Sequence, residues 1–140
     1  MRNDSLKAFK EVSRRHFQFL VDKFRFMERL LPRDSYNRYE VVYARDDLIV
    51  VIRGEGYGSM ASIYFQYQGN REVPIQFLLP GWEPFSKKKN ARSISLPQDE
   101  QIQIAAGQMK EHCLDILNGE MTRYLDVFGR WNGICQKMGY

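Results

Sequence analysis

The chain is poor in the residues that carry most metal, redox and nucleophilic chemistry. Only two cysteines and two histidines occur among its 140 residues. Cys113 and Cys135 form no C-x-x-C pair and no framework of the kind that staples small secreted domains. Both are expected as reduced, buried thiols on apolar helix faces, where a thiol is inert. His16 has no carboxylate or thiol at ligand spacing. His112 adjoins Cys113, but neighbouring helical positions point about 100° apart, and no second pair stands at ligand spacing. Metal ligation is not expected, nor is a nucleophilic pair of His16 with either cysteine. The acidic doublets Asp46-Asp47 and Asp99-Glu100 read as turn and helix-cap residues. No catalytic set emerges and no cofactor is expected.

Long apolar runs are missing as well. No stretch approaches the ~18–20 residues a membrane-spanning helix needs. Met1 to Ser5 leads straight into an amphipathic pattern without a signal-peptide core, so a cytoplasmic location is expected. Internal repeats and low-complexity segments are absent too.

With 44% hydrophobic and 27% charged residues, the composition is that of an ordinary globular protein. The length suits one domain, 1–140, which removes about two-thirds of the unfolded chain's surface from water. The formal charge of +4 and a pI near 9.1 pull weakly toward anionic partners. Acidic residues are interspersed with the basic ones, however, and do not leave a single basic stripe.

Apolar residues at helical spacing predict a first helix from about Asp4 to Phe26: Leu6, Phe9, Phe17, Leu20, Val21 and Phe24, with Val12 at the margin. Asp4 or Ser5 can cap it, His16 lies beside its apolar stripe, and the run Leu30 to Asp34, containing Pro32, ends the helical region. Four strands in a meander are then expected, at Tyr39–Arg45, Leu48–Arg53, Met60–Gln68 and Glu72–Leu78. Asp46-Asp47, the Gly54–Ser59 segment and Gly69-Asn70-Arg71 separate them, each rich in residues that turns require. The third strand alternates Ile63, Phe65 and Tyr67 with Ser62, Tyr64, Gln66 and Gln68, giving one apolar and one polar face. Pro74, lacking an amide hydrogen, places the fourth strand at a sheet edge. The first two strands are apolar on both faces, so they are covered on both sides or meet another subunit.

Ser95-Leu96-Pro97-Gln98 fits a capping box that opens a helix with Ile102, Ala105, Ala106, Met109, Cys113, Ile116 and Leu117 on one side. Asn118-Gly119 should stop or kink it. A last helix places Met121, Tyr124, Leu125, Phe128, Trp131, Ile134, Cys135 and Met138 on its apolar face. The fold class is therefore α+β: an N-terminal helix, a four-stranded antiparallel meander sheet, and two C-terminal helices packed on it.

Two stretches are candidate functional surfaces. The first is Trp82 to Arg92, the longest irregular stretch, where Trp82 and Phe85 stand beside Lys87, Lys88, Lys89 and Arg92. Either the rings tuck back onto the sheet while the lysines are solvated, or they form an aromatic anchor with a basic rim. A nucleic-acid version would add Tyr64 for stacking. The second is Gly54, Glu55, Gly56, Tyr57 and Gly58. A glycine-rich loop cradles phosphate when it opens a helix. This one runs from strand to strand, lacks the P-loop Lys and carries Glu55, so a hairpin loop is the plainer reading and ligand contact the other.

The Phe- and Leu-rich helix Phe17-Gln18-Phe19-Leu20-Val21, then Phe24, precedes the hairpin Val41-Val42-Tyr43…Leu48-Ile49-Val50-Val51-Ile52, and a third strand follows a Gly-containing loop. Over residues 9–67 this pattern resembles small bacterial immunity-type proteins that neutralise secreted or contact-delivered toxins, and neighbouring families without known function. The resemblance implies a non-catalytic protein partner, a toxin, and carries no functional residue over. Immunity proteins against nucleases tend to be acidic; this basic chain implies a different target. Protein binding, to a partner or to a second copy, is the leading expectation. Nucleic-acid or polyanion binding through Lys87–Arg92 is the alternative, and a small-ligand or enzymatic site at Gly54–Ser59 the second.

Overall fold

Residues 2–30, 39–55, 59–81 and 96–139 are described by the computed structural model of the chain. Helix α1 spans Arg2–Phe24. Phe9, Phe17 and Leu20 are buried at helical spacing, as expected, but the stripe is rotated from the predicted one. Val21 is 36% exposed whereas Phe19 is buried, because Phe19 lies among Phe17, Phe24 and the Lys110 ammonium 4.8 Å from its ring. The helix closes at Arg25, in the left-handed region at φ 64°, with the Phe26 amide donating to the Leu20 carbonyl at 3.0 Å.

Among the described residues five antiparallel strands follow in sequential order, not four. The additional strand, β1 (Met27–Arg29), occupies residues read as the tail of the helical region. Three residues carry too little periodicity to announce a strand. Its ladder to β2 (Glu40–Arg45) and the bidentate grip of Arg14 on Glu28, both contacts 2.8 Å, are tertiary contributions. β3 (Leu48–Glu55) and β4 (Met60–Tyr67) complete the central hairpin. The β2–β3 turn uses Asp46 at φ 51°, as the short acceptor side chain there suggests. β3 continues through Gly54 and Glu55, two residues beyond its expected end, so these two pair with Ala61 and Met60.

The fourth expected strand, Glu72–Leu78, is mostly not a strand. β5 is Val73–Pro74 alone, and Ile75–Leu78 winds into a 3₁₀ turn. Pro74 cannot donate to the ladder, so pairing with β4 stops there. β5 does form one edge of the sheet, and β1 the other. Both edges are very short, which blunts edge-to-edge association.

Val41, Tyr43, Leu48, Val50, Ile52, Ile63, Phe65 and Val73 turn one sheet face toward the helices and join the core. Val42 and Val51 lie across from them, on the opposite face, and are only 5% and 4% exposed. Their cover is complete within one chain, so at these positions no second subunit is required. On that face Arg53 reaches Glu40 at 3.2 Å and Glu72 at 3.2 Å, its guanidinium 5.2 Å from the Tyr64 ring.

Three helical segments follow among the described residues. α2 is Gln98–His112, α3 Leu114–Leu117 and α4 Thr122–Lys137. Gln98 does not fold back on its own helix as a capping box would have it. Its amide donates to the Met60 carbonyl at 2.7 Å, while Gln101 accepts from the Ala61 amide at 2.9 Å, stitching α2 to β4. Ser95 lies outside the described residues. The helix first breaks at Cys113 and then at Gly119, the expected stop. There the Glu120 and Gly119 amides bond the Asp115 and Ile116 carbonyls, a Schellman closure that needs φ +91°. Ile102, Ala105, Ala106, Met109, Ile116, Leu117 and Tyr124 reach the core as expected. Leu125 and Met138 do not, being 49% and 53% exposed, because α4 seats itself through Tyr124, Phe128, Trp131 and Cys135.

Candidate functional site

Gly119 reverses the chain so that α4 returns past the end of α2, and Arg123 on its first turn is tied to three elements. Its Nε and Nη2 groups donate to the two Asp115 carboxylate oxygens at 3.0 and 2.8 Å. Nη1 donates to the Leu78 carbonyl at 2.6 Å, and Nη2 also to the carbonyl of His112. This grip holds the Asp115 carboxyl below its ordinary value, the Arg123 hydrogen bond being the largest cause. The neighbouring Cys113 thiol is pushed up to about 11 by burial, with Arg123 opposing.

Beside this knot lies a half-open cleft of about 510 Å³, lined by Phe77, Leu78, Leu79, Pro80, Glu111, His112, Arg123, Val127 and Arg130. Phe77 stands edge-on to Trp131, centroids 4.7 Å apart. Trp131 in turn donates to the Glu72 carbonyl at 3.3 Å, which anchors α4 to the sheet edge. The sequence reading missed this cleft. Arg123, Val127 and Arg130 repeat at i, i+4, i+7, the spacing of one helix face, and that was the available signal.

Elsewhere two ionisable clusters are paired within the fold. Arg14 pairs with Glu28, and Arg53 with Glu40 and Glu72. His16 is half-buried on α1; desolvation first, then Arg15 and Lys110, lower its pKa. Among the described residues no group of three or more His, Cys, Asp or Glu is placed to hold a metal ion. No helix among them is long and apolar enough to cross a membrane.

Of the glycine-rich candidate loop, Gly56, Tyr57 and Gly58 lie outside the described residues. Gly54 has a packing reason for lacking a side chain. A Cβ there would stand 2.9 Å from Gln98 Nε2, 3.1 Å from Phe9 Cε2 and 3.3 Å from Tyr39 Cβ. Glu55 accepts from the Ser62 hydroxyl at 3.3 Å. Trp82, Phe85, Lys87, Lys88, Lys89 and Arg92 all lie outside the described residues, in the segment that begins just past Pro80 and Gly81.

One surface feature stands apart. At the start of β1 Met27 is 75% exposed and just past its end Leu30 is 83% exposed, the most exposed large apolar side chains among the described residues. Arg25 and Arg29, both exposed, alternate with them.

Compared with protein-family models, curated proteins and solved structures, the chain has no significant match to any.

Proposed function

We propose that this chain is a non-catalytic protein-binding factor, of which an immunity-type, toxin-neutralising role is one form and pairing with a second copy another. The observation that carries the reading is the β1 segment, where the large apolar side chains of Met27 and Leu30 are held in water with Arg25 and Arg29 beside them in the chain. Met and Arg are enriched at protein interfaces, and exposed apolar clusters rimmed by polar groups mark contact surfaces. The short, blunted sheet edges favour a partner that meets side chains over one that adds a strand.

The test compares three forms of the chain in affinity capture from host extract and in sedimentation at rising concentration. Wild type and a Leu125→Ser control should retain the same stoichiometric partner or the same self-association. Met27→Ser/Leu30→Ser should lose it with an unchanged melting temperature. Equal retention by all three removes the reading.

Polyanion binding is the second reading, favoured by where the charge falls. The segment 82–95 alone carries Lys87, Lys88, Lys89 and Arg92 against Glu83. Affinity for single-stranded nucleic acid would then fall steeply with salt and weaken when the three lysines become serine; a flat salt response removes it.

A further inference from the structure

Two kinds of side chain meet in the cleft beside α4. Phe77, Leu79, Pro80 and Val127 are apolar. Arg123 and Arg130 are cationic, His112 is polar, and Glu111 is the one carboxylate among the described residues that line the space. That carboxylate is 75% exposed and stands 3.8 Å from His112.

The arginines are prepared for different tasks. Asp115 and the carbonyls of Leu78 and His112 take four of the five Arg123 N–H groups, and the Cys113 thiol is a further hydrogen-bond partner of the same guanidinium. Its position is therefore set before any ligand arrives, and little further side-chain entropy is lost on binding. Among the described residues Arg130 is held by Asp126 alone, at 3.4 Å, with the two side chains 75% and 63% exposed. Such a water-screened pair contributes little and is readily exchanged for a stronger partner. A guanidinium can grip a carboxylate with two parallel hydrogen bonds, which gives orientation as well as attraction.

We infer that this cleft binds a small monocarboxylate with an aromatic or branched aliphatic body, the acid group on Arg130 with Arg123 as a fixed positive charge beside it, the body against Val127, Leu79 and Pro80. Pockets for small molecules are commonly of this size and makeup: mostly apolar, with a few convergent polar groups that set orientation. The inference stands on the cleft alone and does not depend on the protein-binding reading.

The experiment titrates 3-phenylpropionate, and separately its uncharged amide, into the isotopically labelled full chain. Nuclear magnetic resonance follows the Arg Nε–H and Val methyl signals. Saturable shifts are expected at Arg123, Arg130 and Val127, with the amide roughly tenfold weaker because the charge-assisted hydrogen bonds are lost. Arg130→Gln should weaken the acid several-fold, leave the amide unchanged and leave the melting temperature intact. Val127→Trp, which fills the cleft, should abolish both. Equal affinity for acid and amide, shifts centred elsewhere, or an Arg130→Gln variant that binds the acid as wild type does would each overturn the assignment.

Discussion

Asp115 holds Arg123 by both carboxylate oxygens, at 2.8 and 3.0 Å, across the turn that reverses the chain at Gly119. The same guanidinium takes up the carbonyls of Leu78 and His112. One side chain thereby joins the 3₁₀ turn, the end of α2 and the start of α4.

Acid should loosen this junction. The Asp115 carboxyl is held below the ordinary carboxylate value of 3.8, so its contribution to stability is present above that value and is lost as pH falls through the lower folded one. Urea unfolding between about pH 5 and pH 2 should show wild type losing more stability than Asp115→Asn. Parallel curves would mean the pair contributes nothing. Arg123→Lys keeps the charge but not the fork, leaving carbonyls without donors, and should cost about 1–2 kcal/mol at neutral pH.

Gly54→Ala should destabilise the protein by about 1–3 kcal/mol through overpacking. The added carbon meets Gln98 Nε2 and Phe9 Cε2 within 3.1 Å, and Gln98 is itself tied to Met60. Combining it with Gln98→Ala should recover at least ~0.5 kcal/mol of coupling in a double-mutant cycle, since one of the two crowding groups is then gone. Strict additivity of the two losses would place the crowding elsewhere.

Alkali should destabilise the fold as well. Burial pushes Tyr43 up to about 12 and Cys113 up to about 11, and raises Tyr124 too. These folded values lie above the unfolded ones, so the stability is present at neutral pH and is lost as pH rises from about 9 toward 12. The Tyr124 and Tyr43 hydroxyls are buried with no hydrogen-bond partner among the described residues. Tyr124→Phe should therefore be neutral or up to about 1 kcal/mol stabilising, with a shallower alkaline loss. Destabilisation by more than that would mean the hydroxyl is bonded.

Much of the fold was legible from single residue types acting locally. Pro74 marked the sheet edge, Asp46 a turn and Gly119 the stop before the last helix, each because one backbone torsion or one missing amide hydrogen decides the matter. The 3.6-residue and two-residue periods marked α1 and the central hairpin, because burial on one face imposes them. β1 was not legible, because a three-residue strand exists only where a neighbour supplies its ladder. Nor was the rotation of α1 that buries Phe19 and exposes Val21, since the Lys110 ammonium over the Phe19 ring comes from elsewhere in the chain.

The amino-acid order by itself settled the class of the protein: an amphipathic helix, an antiparallel meander and a helical C-terminal part. Which groups meet was decided only in three dimensions. Arg123 and Leu78 are 45 positions apart, and Phe77 and Trp131 come from opposite sides of the segment 82–95. No local rule links such pairs, because side chains distant in sequence become neighbours only when the packing of helices on the sheet has closed the loop between them.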